Sequence, residues 1–176
     1  PVLLEIEPRV SGGMGLYRNL GVNLPLLSVY DRAGMDVDLA ANTYDIVMDR
    51  ALISRFFITV SYAHVYVDLD DTLLQTDGVN PHIAAFLFQC RNKGKKLHLL
   101  TRHAGDVEGT LAKYALSGLF DTVAELKSGT SKAAVITQRE AIFIDDSYAE
   151  RRQVHEETGI PVFSPDAVES LLDWRR

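Results

Sequence analysis

The chain has 176 residues, 47% hydrophobic, 24% charged and 9% aromatic, the balance of a globular protein with a core to bury. Its formal charge of -6, from 24 acidic residues against 18 lysines and arginines, argues against a broad cationic grip on nucleic acid or anionic lipid. One cysteine, Cys90, excludes an internal disulfide and a cysteine-rich zinc site and points to the reducing cytoplasm, and no apolar run is long enough to span a membrane.

The opening, Pro1-Val2-Leu3-Leu4-Glu5-Ile6-Glu7, has neither an initiator methionine nor the pattern of a signal peptide, and reads as the interior of a larger protein. Residues 1–60 form one expected unit, with a glycine-rich turn, Ser11-Gly12-Gly13-Met14-Gly15, between short apolar segments. Residues 61–176 form a second. The boundary is soft, because residues 46–66 are nearly continuous in strand-like apolar side chains. Beyond it, strand candidates at 63–69, 97–100, 141–144 and 161–163 alternate with helical patterns, which predicts right-handed crossovers and a parallel sheet.

Helix punctuation supports that pattern. Asn80-Pro81 offers a cap and a first-turn proline, Ile83, Ala84, Phe86, Leu87 and Cys90 supply a buried stripe, and Gly94 ends the helix. Asp106 opens the next helix. Ser131 is expected to cap a helix through Ala133, Ala134 and Ile136, and Gly159 to close the one after Asp146. Ser164-Pro165 opens a terminal helix in which Leu171, Leu172 and Trp174 pack. The predicted fold is a Rossmann-like three-layer α/β/α domain around a central parallel sheet.

The densest chemistry follows the first of these strands, at Val67-Asp68-Leu69-Asp70-Asp71-Thr72. Carboxylates at the C-terminal end of a strand lie where open α/β sheets bind ligands, and their mutual repulsion calls for a hard cation such as Mg²⁺. An acidic loop or helix cap would present the same residues. The strand at 141–144 runs into Asp145-Asp146, however, and a parallel sheet opens both strand ends on one edge. Five carboxylates, Asp68, Asp70, Asp71, Asp145 and Asp146, are thus expected to converge on one ion. A third strand delivers Thr101, Arg102 and His103 to that edge, and Lys132 opens a predicted helix, where positive charge opposes the helix dipole and suits a bound anion.

In this order the motifs resemble those of the haloacid dehalogenase superfamily of phosphohydrolases, over residues 63–176. Asp68-Leu69-Asp70-Asp71-Thr72 is similar to the first motif, Thr101 to the second, Lys132 to the third and Asp145-Asp146 to the fourth. Lys127 is the alternative for the third. The resemblance implies that Asp68 is a nucleophile forming an aspartyl phosphate and that Asp70 is the acid and base. It implies a Mg²⁺ ion held by Asp68, the Asp70 backbone carbonyl and Asp146, with Asp145 as a ligand or a supporting group. Thr101 and Lys132 would bind the phosphoryl oxygens. The presence of Asp70 favours hydrolysis of phosphate esters over the dehalogenase branch.

The intervals of 33 residues from Asp68 to Thr101 and 31 from Thr101 to Lys132 leave no room for a substantial cap domain. A capless site admits a phosphorylated small molecule or a carrier-bound phosphate, with Arg102, His103 and residues 75–80 as candidate contacts. Residues 1–60 have their own resemblance. Leu4-Glu5-Ile6-Glu7-Pro8-Arg9, Ser11-Gly12-Gly13 and Gly21-Val22-Asn23-Leu24-Pro25 look like the C-terminal end of an ATP-grasp ligase domain, with Glu7 where that family usually has asparagine. The upstream ATP-grasp portion would be a partner in cis or in trans. The expected protein is therefore a cytoplasmic Mg²⁺-dependent phosphatase fused to a ligase remnant. Phosphotransfer to another acceptor, or a non-catalytic interaction domain, are the other readings.

Overall fold

In the computed structural model, residues 10–50, 54–76 and 78–174 are described. The chain begins with a 3-10 turn at Gly12–Met14, α1 (Gly15–Asn19) and α2 (Leu24–Arg32), the last capped by Asn23, whose side chain accepts from Leu26 N. An antiparallel pair follows, β1 (Ile46–Arg50) with β2 (Ser54–Ile58). The α/β unit then runs β3 (His64–Val67), a small hairpin of β4 (Leu74–Gln75) and β5 (Gly78–Val79), α3 (Pro81–Asn92), β6 (Lys96–Thr101), α4 (Val107–Lys113), β7 (Thr122–Glu125), a 3-10 turn at Ala133–Val135, β8 (Ala141–Ile144), α5 (Tyr148–Thr158), β9 (Val162–Phe163) and a 3-10 helix at Pro165–Leu171.

Five strands make one parallel sheet in the order β7-β6-β3-β8-β9. Alternation along the strands divides the core between its two faces. Val65, Val67, Leu97, Leu99, Ile142 and Ile144 pack against α3, α4 and the C-terminal 3-10 helix. Tyr66, Leu100 and Phe143 pack against Ala133, Ile136 and Val154 on the other side. The three-layer α/β/α arrangement expected from the alternating pattern is the one observed.

Three of the expected helices keep their punctuation. Asn80 accepts from His82 N and Ile83 N, Asp106 from Gly109 N and Ser147 from Glu150 N, while Gly94 and Gly159 take positive φ at the ends of α3 and α5. Two expectations are corrected. No α-helix follows Ser131; Lys132 instead precedes a single 3-10 turn, because β-branched Val135 and Ile136 resist helix and Ile136 continues extended into the core. The terminal helix is 3-10, and its tighter period places Val168 and Leu171, three residues apart, together on the core side. Trp174 lies beyond that helix and is 44% exposed. Strand β7 has no counterpart among the sequence expectations, since an edge strand with mostly exposed side chains carries no apolar alternation.

Residues 12–60 are tied to this unit by polar contacts. The buried Asn42 donates its amide to the Val162 carbonyl at 2.9 Å and accepts from Val162 N at 3.2 Å, completing the outer edge of β9 as another strand would. Tyr44 stacks on Phe163 at 5.9 Å, Arg18 pairs with Glu169 at 2.7 Å, and Arg152 reaches Asp38 at 3.0 Å. Asn42→Ala would strand both buried groups of Val162, so chemical unfolding should show a loss of about 2–4 kcal/mol; an unchanged midpoint would mean that the edge is not closed by this side chain.

Candidate active site

Because β3 lies between β6 and β8 and all three run parallel, their C-terminal ends meet on one edge. Asp68 N donates to the Ile144 carbonyl at 3.0 Å, which sets the residue after β3 beside the residue after β8. Asp68 and Asp145 are therefore neighbours. Both are buried, at 6% and 1% exposure, and Lys132, 3% exposed, places its Nζ 2.6 Å from Asp68 Oδ1 and 2.6 Å from Asp145 Oδ2. The exposed Lys127 makes no such contact.

Asp146 turns outward. Its Oδ1 accepts from the Thr72 hydroxyl at 3.3 Å and its backbone N donates to Thr72 Oγ1 at 2.9 Å, so the fully buried Thr72 fixes its direction. Arg151 donates to the carbonyls of both Asp145 and Asp146 at 2.6 Å, and Ser147 N donates to Asp145 Oδ1 at 2.8 Å. In the sequence Thr72 is only the end of the first motif, with no role of its own, and Arg151 carries no signal. Their partners lie across the sheet edge or on backbone atoms.

Carboxylate oxygens of Asp68, Asp145 and Asp146 lie within 4.8 Å of one another. Three carboxylates against the one ammonium in contact with them leave two negative charges, the charge of one divalent cation, and every donor is a hard oxygen. The residues present fit a hard divalent cation. Burial acts in the same direction: it raises the Asp68 pKa to about 6 despite the attraction of Lys132, and raises that of Asp145 as well. Burial also works against the charge of Lys132, but Asp145 and Asp68 outweigh it and its pKa is raised.

The five-carboxylate convergence is corrected to three. Asp70 is half exposed and its carboxylate accepts from His103 Nδ1 at 2.8 Å, while His103 Nε2 lies 3.2 Å from the Thr110 hydroxyl. Asp71 adopts φ +53°, the left-handed turn that sends the chain from β3 into the β4–β5 hairpin, and lines a neighbouring cleft. Thr101 is fully buried at the end of β6, where its Oγ1 accepts from His103 N at 3.0 Å. Arg102 is engaged elsewhere, donating to Glu150 at 2.8 Å and to the Thr130 carbonyl at 2.6 Å. Gln75 and Asn80, from the segment expected to offer contacts, line the cleft with Asp71 and Asp146. Glu5, Glu7 and Arg9 lie outside the described residues.

No family model matches the sequence, and no curated protein matches it. Among solved structures, the chain is similar to an uncharacterised protein from Corynebacterium glutamicum, at 16% identity and TM-score 0.43 over 58% of this chain and 82% of that one. It is also similar to a protein provisionally described as a phosphoglycolate phosphatase from Lactobacillus delbrueckii subsp. bulgaricus, at 19% identity and TM-score 0.37. That second match covers 48% of this chain and 40% of the other.

The raised Asp68 pKa has a measurable sign. In the folded chain without metal Asp68 keeps its proton to about pH 6, against 3.8 for the unperturbed group, so its contribution to stability is complete below pH 3.8 and is lost as pH rises through 6. Asn carries no such dependence. In chelator, Asp68→Asn should therefore gain stability relative to the native chain between pH 4 and pH 7, by at most about 3 kcal/mol in urea unfolding. A difference that stays flat over that window would show that the carboxylate ionises as it does in water.

Proposed function

We propose that the chain is a Mg²⁺-dependent phosphohydrolase of the haloacid dehalogenase type, cleaving phosphate monoesters through a phosphoaspartate at Asp68. The observation that carries this reading is the Asp68–Lys132–Asp145 contact with Asp146 alongside, at the C-terminal edge of a parallel sheet. Asp68 and Asp146 side chains and the Asp70 carbonyl would hold the ion, which would offset phosphate charge and let a carboxylate approach it.

Asp68 Oδ attacks phosphorus as the bond to the leaving oxygen breaks, and Asp70 gives that oxygen its proton. Water then attacks the same phosphorus, giving its proton to Asp70, and the bond to Asp68 breaks to release phosphate. Lys132 holds Asp68 in place and would offer positive charge to the phosphoryl oxygens, and the Thr101 hydroxyl at the end of β6 would join it. Asp70, half exposed, stands where an incoming ester can meet it, and His103 orients its carboxylate.

Asp68→Asn keeps nearly the same shape and removes the nucleophile. Released phosphate from an aryl ester should fall at least about 1,000-fold while circular dichroism is unchanged, and chelation of the native enzyme should have the same effect, reversed by Mg²⁺. Undiminished turnover in the folded variant would remove the covalent route.

Acid catalysis has a separate signature. Protonation matters most for a poor leaving group, so Asp70→Asn should lower kcat/KM for an alkyl phosphate by about 100-fold or more and for a nitrophenyl phosphate far less. Equal losses on both esters would assign Asp70 a role other than proton donation to the leaving oxygen.

A further inference from the structure

A cleft of about 770 Å³ lies between the N-terminal segment and the α/β unit, within the range of about 300–1,000 Å³ typical of small-molecule sites. It meets the acidic edge through Asp146, the exposed member of the cluster; Asp71 also lines it, whereas Asp68, Asp70, Thr101 and Lys132 do not. A wall of Leu26, Leu27, Tyr30, Val37 and Leu39 comes from α2 and the stretch after it. Leu26 and Leu39 are 43% and 53% exposed, apolar surface that a ligand in the cleft would take out of water.

The charges lining the cleft restrict what fits. Its fixed positive charges among the described residues are Arg18 and Arg151, against the carboxylates of Asp71, Asp146, Asp166 and Glu169. Arg18 pairs with Glu169 and Asp166, and Arg151 donates to the carbonyls of Asp145 and Asp146. With four carboxylates to two arginines in the lining, and Arg18 already held by Asp166 and Glu169, a second anionic group on a substrate would meet net negative charge.

We propose that this cleft is the leaving-group site, and that the substrate is a phosphate monoester whose leaving group is an uncharged, largely apolar alkyl or ring body. The inference rests on the phosphohydrolase reading and adds the substrate class. It also gives the N-terminal segment a role, because side chains of α2 and of residues 37–39 line the same cleft as Asp146. A small hydrophilic phospho-acid would leave that wall wet and set its own carboxylate against Asp166 and Glu169.

The test is a series of n-alkyl phosphates of one to six carbons, assayed with Mg²⁺. Burial of each methylene against the wall should raise kcat/KM about threefold per carbon until the wall is covered. Leu26→Asp and Leu39→Asp, two independent changes at exposed positions, should flatten the series, while Val29→Asp, on α2 but outside the cleft and 62% exposed, should keep both the slope and the activity. A flat series in the native chain, with turnover, overturns the inference and leaves the phosphohydrolase reading standing. Absence of turnover for every ester defeats that reading instead. Calorimetric titration with hexyl and methyl phosphate in Mg²⁺ then decides about the cleft: tighter hexyl binding lost in Leu26→Asp upholds an apolar site, and equal affinities overturn it.

Discussion

The buried ammonium of Lys132 between Asp68 and Asp145 is the contact on which the rest of the edge depends. Two carboxylates at 6% and 1% exposure repel each other in a medium that screens poorly, and without a shared cation one of them would have to be neutral. The contact also constrains the sheet. Asp68 and Asp145 reach the same ammonium only because β3 and β8 are parallel neighbours in the register that sets Val67 against Ile144. A slip of one residue would turn the side chain after β8 to the other face and remove Asp145 from Lys132. Strand order, register and charge placement are thus one requirement expressed three times.

Much of this is legible in the sequence because the central strands are buried on both faces. Val65 to Val67 and Ile142 to Ile144 read as continuous apolar runs, Leu97 to Leu100 is broken only by His98, and the acids after the first two stand out against them. Two helix caps are legible for a local reason: Asn80 and Asp106 bond to backbone groups two or three residues away. The features that escape the sequence are non-local or unpatterned. Edge strand β7 is mostly exposed, the partner of Asp70 is 33 residues distant at His103, and the Asn42 amide meets Val162 across 120 residues. Lys132 stands out in the sequence through a helix-dipole argument, yet no α-helix is there; a single 3-10 turn has too little dipole to matter, and the charge is met by two carboxylates.

The boundary drawn near residue 60 separates patterns of sequence more cleanly than it separates contacts. β2 packs on the C-terminal 3-10 helix, Tyr44 stacks on Phe163, and Asn42 closes the edge of β9. These ties bring α2 and residues 37–39 to the cleft that Asp146 also lines. The likeness of Leu4 to Arg9 to an ATP-grasp terminus lies in residues outside those described, and the chain from Gly12 to Arg32 is mostly helical.

Stability and chemistry pull against each other at Asp68. Burial, the largest influence on its pKa, makes the ionised form costly in the folded chain, and it is the ionised form that the proposed cation binding and attack on phosphorus require. Moving the residue toward water would relieve the cost, but would also weaken its attraction to any cation and surround it with competing solvent. The sheet beneath supplies the compensation: Val67, Leu69, Leu99, Ile142 and Ile144, none more than 1% exposed, fix the backbone at the edge whatever the charge above it. A strained site on a loop could relax by moving, whereas one built on the ends of three buried strands must keep its geometry and accept the proton or the metal instead. Cation binding at this edge is for that reason expected to stabilise the fold as well as to serve the chemistry.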